Sequence, residues 1–302
     1  MQRMFGRNSV KRAVKRTAGW AASLETLLTG RRAADGACVF YYHRVADVNF
    51  VDAAVDDWNV CPETFERQVA ALSEFAEIVP LRELPERLGS KEASRAKPLV
   101  ALTFDDGYAS FHQHALPILQ RYGAHATAFV VTGTIGRAEP QPFDRWARKN
   151  LGRTRPDDWR AMSWTELETC VASGLVDIGA HSHMHLRGSL CRPEQLAEEA
   201  ARSREILRAH LGETQARAYA YPYGSTRLGD ASAAYVEAVR AAGYEAAVTT
   251  DLGLVTKESE RFLLPRIEAH ALDAPRVLRA KAHGTLSPYR LTDNLRLLNR
   301  AL

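Results

Sequence analysis

The chain has 302 residues, 46% of them hydrophobic and 25% charged, with a formal net charge of +4. That length suits one large α/β domain with a buried core, or two small domains. No run of about 18 consecutive apolar residues occurs, so no helical membrane span is expected, and the charge is too mild for a protein built to wrap nucleic acid.

The first 32 residues carry basic side chains from Arg3 to Arg32 against one acid, Glu25. A signal peptide needs an unbroken apolar run before its cleavage site; here Ser23 and Glu25 interrupt it, so no export is read and a cytoplasmic location is expected. Val14, Ala18, Ala21, Ala22, Leu27 and Leu28 fall near one helical stripe, with Trp20 to one side. Two readings stay open for residues 1–36: a helix packed on the domain, or a basic helix in peripheral contact with an anionic membrane through residues 1–32. The folded domain is expected over 37–290, with 291–302 as a tail.

Gly36 precedes a β-rich apolar run, Ala37 to Tyr42, read as the first buried strand. Pro62 opens a helix with Phe65, Val69, Leu72 and Phe75 on one face. Ile78 and Val79 can form a short strand, and Leu99 to Phe104 a strong one. A helix centred on His114 to Arg121 stops at Gly123. Strand Thr127 to Val131 follows. Residues 137–160, rich in Arg, Asp and Pro, look like an inserted surface loop. Ser163 is a plausible N-cap for a helix from Trp164 to Ala172. Strand Val176 to Ala180 leads into a helix from Pro193 to Leu211. Strand Ala218 to Tyr221, helix Tyr235 to Ala242 and strands Ala246 to Thr250 and Leu263 to Ile267 complete the pattern. Continuous apolar strands alternating with helices point to a parallel sheet covered by helices, in a single barrel-like α/β domain whose chemistry sits where strands end. Cys38, Cys61, Cys170 and Cys191 form no CxxC pair, which excludes a zinc knuckle and reads as reduced core residues.

Three clusters fall at strand ends. In Thr103-Phe104-Asp105-Asp106-Gly107, adjacent carboxylates point in different directions because strand side chains alternate. One can bind a metal while the other acts as a base; the plainer reading is a turn capping the next helix. In His181-Ser182-His183-Met184-His185, three histidines in five residues are poor core filler and good ligands for a divalent transition metal. Two imidazoles and a carboxylate leave positions open for water and substrate, as a hydrolytic site needs. In Tyr219-Ala220-Tyr221-Pro222-Tyr223-Gly224, aromatics around Pro and Gly can wall a sugar, although on this segment alone an ordinary strand-to-loop turn is the favoured reading.

In this order the clusters resemble the polysaccharide deacetylases with a NodB-homology domain, the family 4 carbohydrate esterases, over roughly residues 37–270. Thr103 to Gly107 resembles the family's TFDDG motif, and His181, Ser182 and His185 its HSxxH motif. Tyr221 to Gly224 resembles the YPYG segment of one branch. Tyr42 to Val45, Thr127 to Gly133 and Ser163-Trp164 match more weakly. The resemblance implies a distorted (β/α) barrel. It implies Asp105 as general base and Asp106, His181 and His185 as ligands of a divalent transition metal, zinc first among them. It also implies the backbone N–H of Tyr223 as an oxyanion donor. His183 is not assigned by the motif.

Two departures follow. Many members carry an Arg two residues before the third-motif Pro, where it orients the base; here that residue is Ala220. Arg266, in Leu264-Pro265-Arg266-Ile267, is the candidate substitute, with a surface ion pair as the alternative. The late Leu-x-His motif, whose His serves as general acid, lacks a clear counterpart, and His270 is the nearest candidate. His43 is a further active-site polar group or a core hydrogen-bonding residue.

The implied activity is removal of N-acetyl groups from N-acetylhexosamine units of a polysaccharide, oligosaccharide or lipid-linked glycan, with acetate released. The competing readings are a carbohydrate-binding protein with a degenerate site, and a metal-dependent hydrolase of another amide or ester. The intact Asp-Asp and His-Ser-x-x-His pairs argue against the first.

Overall fold

The computed structural model describes residues 16–23, 36–48, 58–89 and 97–290. Residues 16–23 form a helix, α1, whose Ala18 and Ala22 are buried in the main core with Val277. The apolar stripe is thinner than the sequence suggests: Ala21 is exposed, as is Trp20, whose ring lies 5.3 Å from the Arg276 guanidinium. The expectations for the rest of residues 1–35 and for the 291–302 tail lie outside the described residues. No helix among the described residues is long and apolar enough to cross a membrane.

In chain order the strands are β1 (Ala37–Tyr42), β2 (Arg44–Val45), β3 (Asn59–Val60), β4 (Glu77–Ile78), β5 (Leu99–Phe104), β6 (Ala126–Val130), β7 (Val176–Ala180), β8 (Ala218–Ala220), β9 (Ala246–Leu252) and β10 (Leu264–Glu268). The main sheet runs β1-β10-β9-β8-β7-β6-β5-β4, and β1 also pairs with β5, so seven parallel strands close into a barrel. β4 takes the start of β5 while β6 takes its end. The short pair β2 and β3 stands apart.

Alternation within each strand explains both the core and the site. Ala37 and Val39 of β1, Leu99 and Ala101 of β5, Phe129 of β6, Ala220 of β8, Val248 of β9 and Leu264 of β10 share one buried cluster inside the barrel. Val79, Leu81, Leu84 and Val255 belong to the same cluster and close the end where the strands begin. The intervening residues, such as Phe40, Leu102, Phe104 and Ile178, join the larger cluster under the helices. Both faces are buried, so the strands read in sequence as continuous apolar runs.

The helices follow their punctuation. They are α2 (Pro62–Phe75), α3 (Leu84–Gly89), α4 (Leu116–Tyr122), α5 (Arg145–Asn150), α6 (Trp164–Ala172), α7 (Pro193–Leu211), α8 (Ala233–Ala241) and α9 (Pro275–Ala282). Pro62 and Pro193 open α2 and α7, and Gly123 ends α4 in the left-handed region. Ser163 caps α6 in a capping box with Glu166. The expected helix over 114–121 begins instead as a π turn, Phe111–Ala115, before α4.

The segment 137–160 is the main correction to the sequence reading. It is not a plain surface loop. It contains α5, and it buries Gln141, Asp144, Trp146, Asn150, Asp158 and Trp159. Asp144 caps α5 and receives a hydrogen bond from buried Arg44 at 2.5 Å and one from the Tyr108 hydroxyl at 2.9 Å. The Arg44 guanidinium lies between the rings of Tyr108 and Trp146, at 4.4 and 4.1 Å.

Candidate metal centre

The inward rows deliver the first half of the site. Leu99, Ala101 and Thr103 of β5 point into the barrel, and Asp105 takes the next inward place at its mouth, its N–H donating to the Tyr42 carbonyl at 2.9 Å. Arg266 follows Leu264 on the inward row of β10 and is fully buried. Its Nη1 and Nη2 donate to the two oxygens of Asp105 at 2.8 and 2.7 Å, a bidentate pair. Nε donates to the Thr249 carbonyl at 2.8 Å, and Nη1 also reaches Thr103 Oγ1 at 3.1 Å. The Thr249 carbonyl lies in the stretch where the β9–β10 register slips. The Tyr41 ring sits 4.8 Å from the guanidinium. Burial alone pushes the Asp105 carboxyl up; the Arg266 charge and the Arg266 hydrogen bonds outweigh it and hold the group below the ordinary carboxylate range.

His181 follows β7, and its N–H donates to the Val130 carbonyl at 2.8 Å. Its Nδ1 lies 2.8 Å from the Ala220 carbonyl, which fixes the proton on Nδ1 and leaves the Nε2 lone pair free. Burial pushes its pKa down to about 4, so the ring is neutral, the form a metal ligand needs.

The second half stands on turns. Asp106, Ser182, His185 and Tyr223 all have positive φ, at 73°, 64°, 57° and 62°. Such backbone costs about 1–3 kcal/mol at each non-glycine residue and persists only when the surroundings enforce it. Gly107 continues the turn at φ 66°, and a Cβ there would stand 2.8 Å from Val130. Glu199 of α7 holds the histidine loop: its buried carboxylate accepts the N–H of His183 at 3.0 Å and of Met184 at 2.7 Å. Ser182 Oγ accepts the His185 N–H at 2.8 Å. A Cβ on Gly133 would stand 2.7 Å from the His183 carbonyl, so only glycine lets that loop close over it.

Asp106, His181 and His185 converge. One donor atom from each lies within 4.8 Å of the others, the only such group among the described residues. Asp106 Oδ1 is 3.5 Å from His181 Nε2 and 3.4 Å from His185 Nε2, yet it is buried and makes no hydrogen bond among the described residues. Burial pushes the Asp106 carboxyl up, but the His185, His43 and His181 rings outweigh it and hold the group well below the ordinary range. A buried carboxylate oxygen with no hydrogen bond among the described residues, facing two ring nitrogens, fits a divalent transition ion.

The remaining candidates separate. The Tyr223 ring is partly exposed and lies 5.1 Å from His185. No carbonyl among the described residues accepts its N–H, while its own carbonyl accepts from Thr250 Oγ1 at 2.7 Å. Of the aromatics that could wall a sugar, Tyr219 on the outward row of β8 and Tyr221 just after it are buried, Tyr219 against Tyr235 and Tyr221 against the Phe262 carbonyl. His43, half-buried, packs on Trp58 at 4.4 Å. His183 meets Thr132 Oγ1 at 2.9 Å through Nδ1. His270, on the loop after β10, accepts the Leu272 N–H at Nδ1, 3.0 Å away.

Sequence reading missed Glu199, Gln141 and Phe143. Glu199 had a signal, a carboxylate on the apolar stripe of α7 with Leu196, Ala200, Ser203 and Leu207. Gln141 donates to the Asp106 carbonyl at 2.9 Å, and Phe143 stacks on His185 with centroids 3.7 Å apart. Neither residue type announces such a place.

Comparison with known proteins bears on the whole arrangement. The family model described as Polysaccharide deacetylase matches residues 92–247. A poly-beta-1,6-N-acetyl-D-glucosamine N-deacetylase of Staphylococcus aureus (strain MRSA252) is 24% identical over 251 residues, 77% of this chain and 78% of its own. The Streptococcus pyogenes deacetylase PplD in complex with acetate superposes with a TM-score of 0.67 at 21% identity, over 83% of this chain and 99% of that one. IcaB from Ammonifex degensii superposes with a TM-score of 0.63 at 25% identity, over 83% of this chain and 98% of that one.

Proposed function

From the premise that this chain belongs to the polysaccharide deacetylases, we propose that it is a zinc-dependent hydrolase removing N-acetyl groups from a polymer of N-acetylglucosamine type. The carrying observation is the buried Asp106–His181–His185 group beside an Asp105 clamped by Arg266. The S. aureus relative, named for a poly-β-1,6-linked N-acetylglucosamine, supports that substrate class.

Asp106 Oδ1, His181 Nε2 and His185 Nε2 would hold the ion. When bound, a divalent transition ion polarises the acetamide carbonyl and lowers the pKa of an attacking water, which lets a carboxylate as weakly basic as Asp105 serve as base. Asp105 takes the water's proton; Arg266 fixes its plane while each oxygen keeps a free lone pair. The Tyr223 N–H donates to the oxyanion, and the partly exposed Tyr223 ring lies beside the sugar. The closed floor of the barrel keeps water from reaching Asp105 from below.

Acetate release from β-1,6-linked N-acetylglucosamine oligomers is the test, with a chelator abolishing it and zinc restoring it. Release from simple esters or other amides alone would favour the broader hydrolase. Glycan binding with no acetate release in saturating zinc would favour the degenerate binding protein.

A further inference from the structure

The two candidate histidine ligands are oriented by different means. His181 is anchored by the hydrogen bond from Nδ1 to the Ala220 carbonyl at 2.8 Å. His185 has no such anchor: its Nδ1 is buried and makes no hydrogen bond among the described residues. Rings hold it instead. Phe143 lies flat on it, 3.7 Å between centroids and 18° between planes, while His181 and Tyr223 meet it edge-on at 4.9 and 5.1 Å.

Phe143 belongs to the 137–160 segment, and that segment reaches the carboxylate ligand too. Buried Gln141 accepts from Thr134 Oγ1 at 2.9 Å and donates through Nε2 to the Asp106 carbonyl, also at 2.9 Å. Asp106 is the residue with φ 73°. Asp144, next to Phe143, latches the segment to Arg44 just beyond β1. The two ligands that stand on strained turns are thus both braced from the inserted segment, whereas His181, on a strand end, is braced by the neighbouring strand.

We propose that Phe143 and Gln141 are positioning residues of the metal centre, and that the 137–160 segment is a built part of the site. The proposal rests on the reading that Asp106, His181 and His185 hold a divalent ion. A stacked phenyl ring restricts the imidazole to one plane, the task a carboxylate or carbonyl partner usually performs for a metal-bound histidine. The Gln141 amide holds the Asp106 peptide in an orientation that its own φ disfavours.

Zinc(II) titration of the metal-free full chain tests this, with cobalt(II) absorption reporting ligand geometry. Loss of an orienting partner weakens metal binding about 10–100-fold. Phe143→Ala and Gln141→Met are expected to weaken zinc within that range and to change the cobalt spectrum. Phe143→Trp, which keeps a stacking face, is expected to stay near the unaltered affinity and spectrum. Asn150→Ala is the control for general loosening, because Asn150 is buried in α5 and its side chain, among the described residues, bonds only locally, to the Trp146 carbonyl at 3.0 Å and to Arg153. Zinc affinity in Phe143→Ala and Gln141→Met equal to that of the unaltered chain would overturn the proposal, as would equal weakening in Asn150→Ala. No zinc binding by the unaltered chain would overturn the metal reading itself, a different result from tight binding that ignores Phe143.

Discussion

The mouth of the barrel is built in two halves that differ in how the backbone presents its side chains. Asp105, Arg266 and His181 extend the inward rows of β5, β10 and β7 and need no unusual backbone. Asp106, His185 and Tyr223 stand on turns at φ 73°, 57° and 62°. A strand aims side chains at one fixed angle, which suffices for a base and its clamp but does not bring three donors to one point. Convergence comes from turns, and the turns are kept in place by Glu199, Gln141 and Thr250. The strand half therefore owes its geometry to the sheet, the turn half to long-range braces.

The largest expected effect separates the halves directly. Asp105→Asn removes the proposed base and leaves the three donor atoms untouched. Acetate release should fall about 10²–10⁴-fold, with zinc content unchanged by elemental analysis. Zinc lost in parallel with activity would show that the halves are not independent.

A smaller effect is expected from Arg266→Lys, which keeps the charge and forfeits the fork. One charge-assisted hydrogen bond is worth about 1.5–3 kcal/mol, so turnover should drop roughly 10- to 100-fold. Zinc affinity, again, should hold. Turnover indistinguishable from the unaltered enzyme would mean that the bidentate geometry has no part in aiming Asp105.

The smallest effect concerns the far end of the inserted segment. Arg160 grips both oxygens of Glu166 at 2.8 and 2.7 Å, while its own carbonyl receives the Ala109 N–H just past the Asp-Asp turn. Burial raises the Glu166 carboxyl, but the Arg160 and Ser163 hydrogen bonds prevail and draw it down to about 2 from 4.5. With the folded pKa below the unfolded one, the stabilisation is complete above the unfolded value and disappears as pH falls through the folded one. The Tm difference between the unaltered chain and Glu166→Gln should thus be widest above about pH 5 and shrink toward about pH 2.5. A pH-independent difference would assign the effect to shape rather than charge.

How much of this was legible beforehand tracks the same division. β5 and α7 fall where an apolar run and the Pro193–Gly212 punctuation put them. Asp105, Asp106, His181 and His185 were visible because their chemistry is dense within a few residues. Arg266 could be named only because Ala220 left the base without its usual partner. Braces were not legible, since a glutamine and a phenylalanine in a polar stretch acquire meaning only through contacts about 35 residues or more away in sequence. The buried Trp146 and Trp159 were the overlooked sign that 137–160 packs against something. Tyr219 and Tyr221 do not wall the site for a local reason: alternation along β8 and into the residue after it sends them outward, beneath the helices.

The closure of the barrel also sets a timetable for synthesis. β1 gives one edge to β5 and the other to β10, the last strand made. Asp105 and Arg266 are 161 residues apart. At about 5–20 residues per second, a ribosome needs roughly 8–30 s to deliver the arginine after the aspartate. Throughout that interval the nascent chain carries an open strand edge on β1 and a carboxylate bound for the barrel interior without its cation. An open edge of apolar residues invites pairing with another chain. Arrival of β10, which brings both the second partner of β1 and Arg266, is what removes both hazards at once, and a chain truncated before Leu264 would keep them permanently.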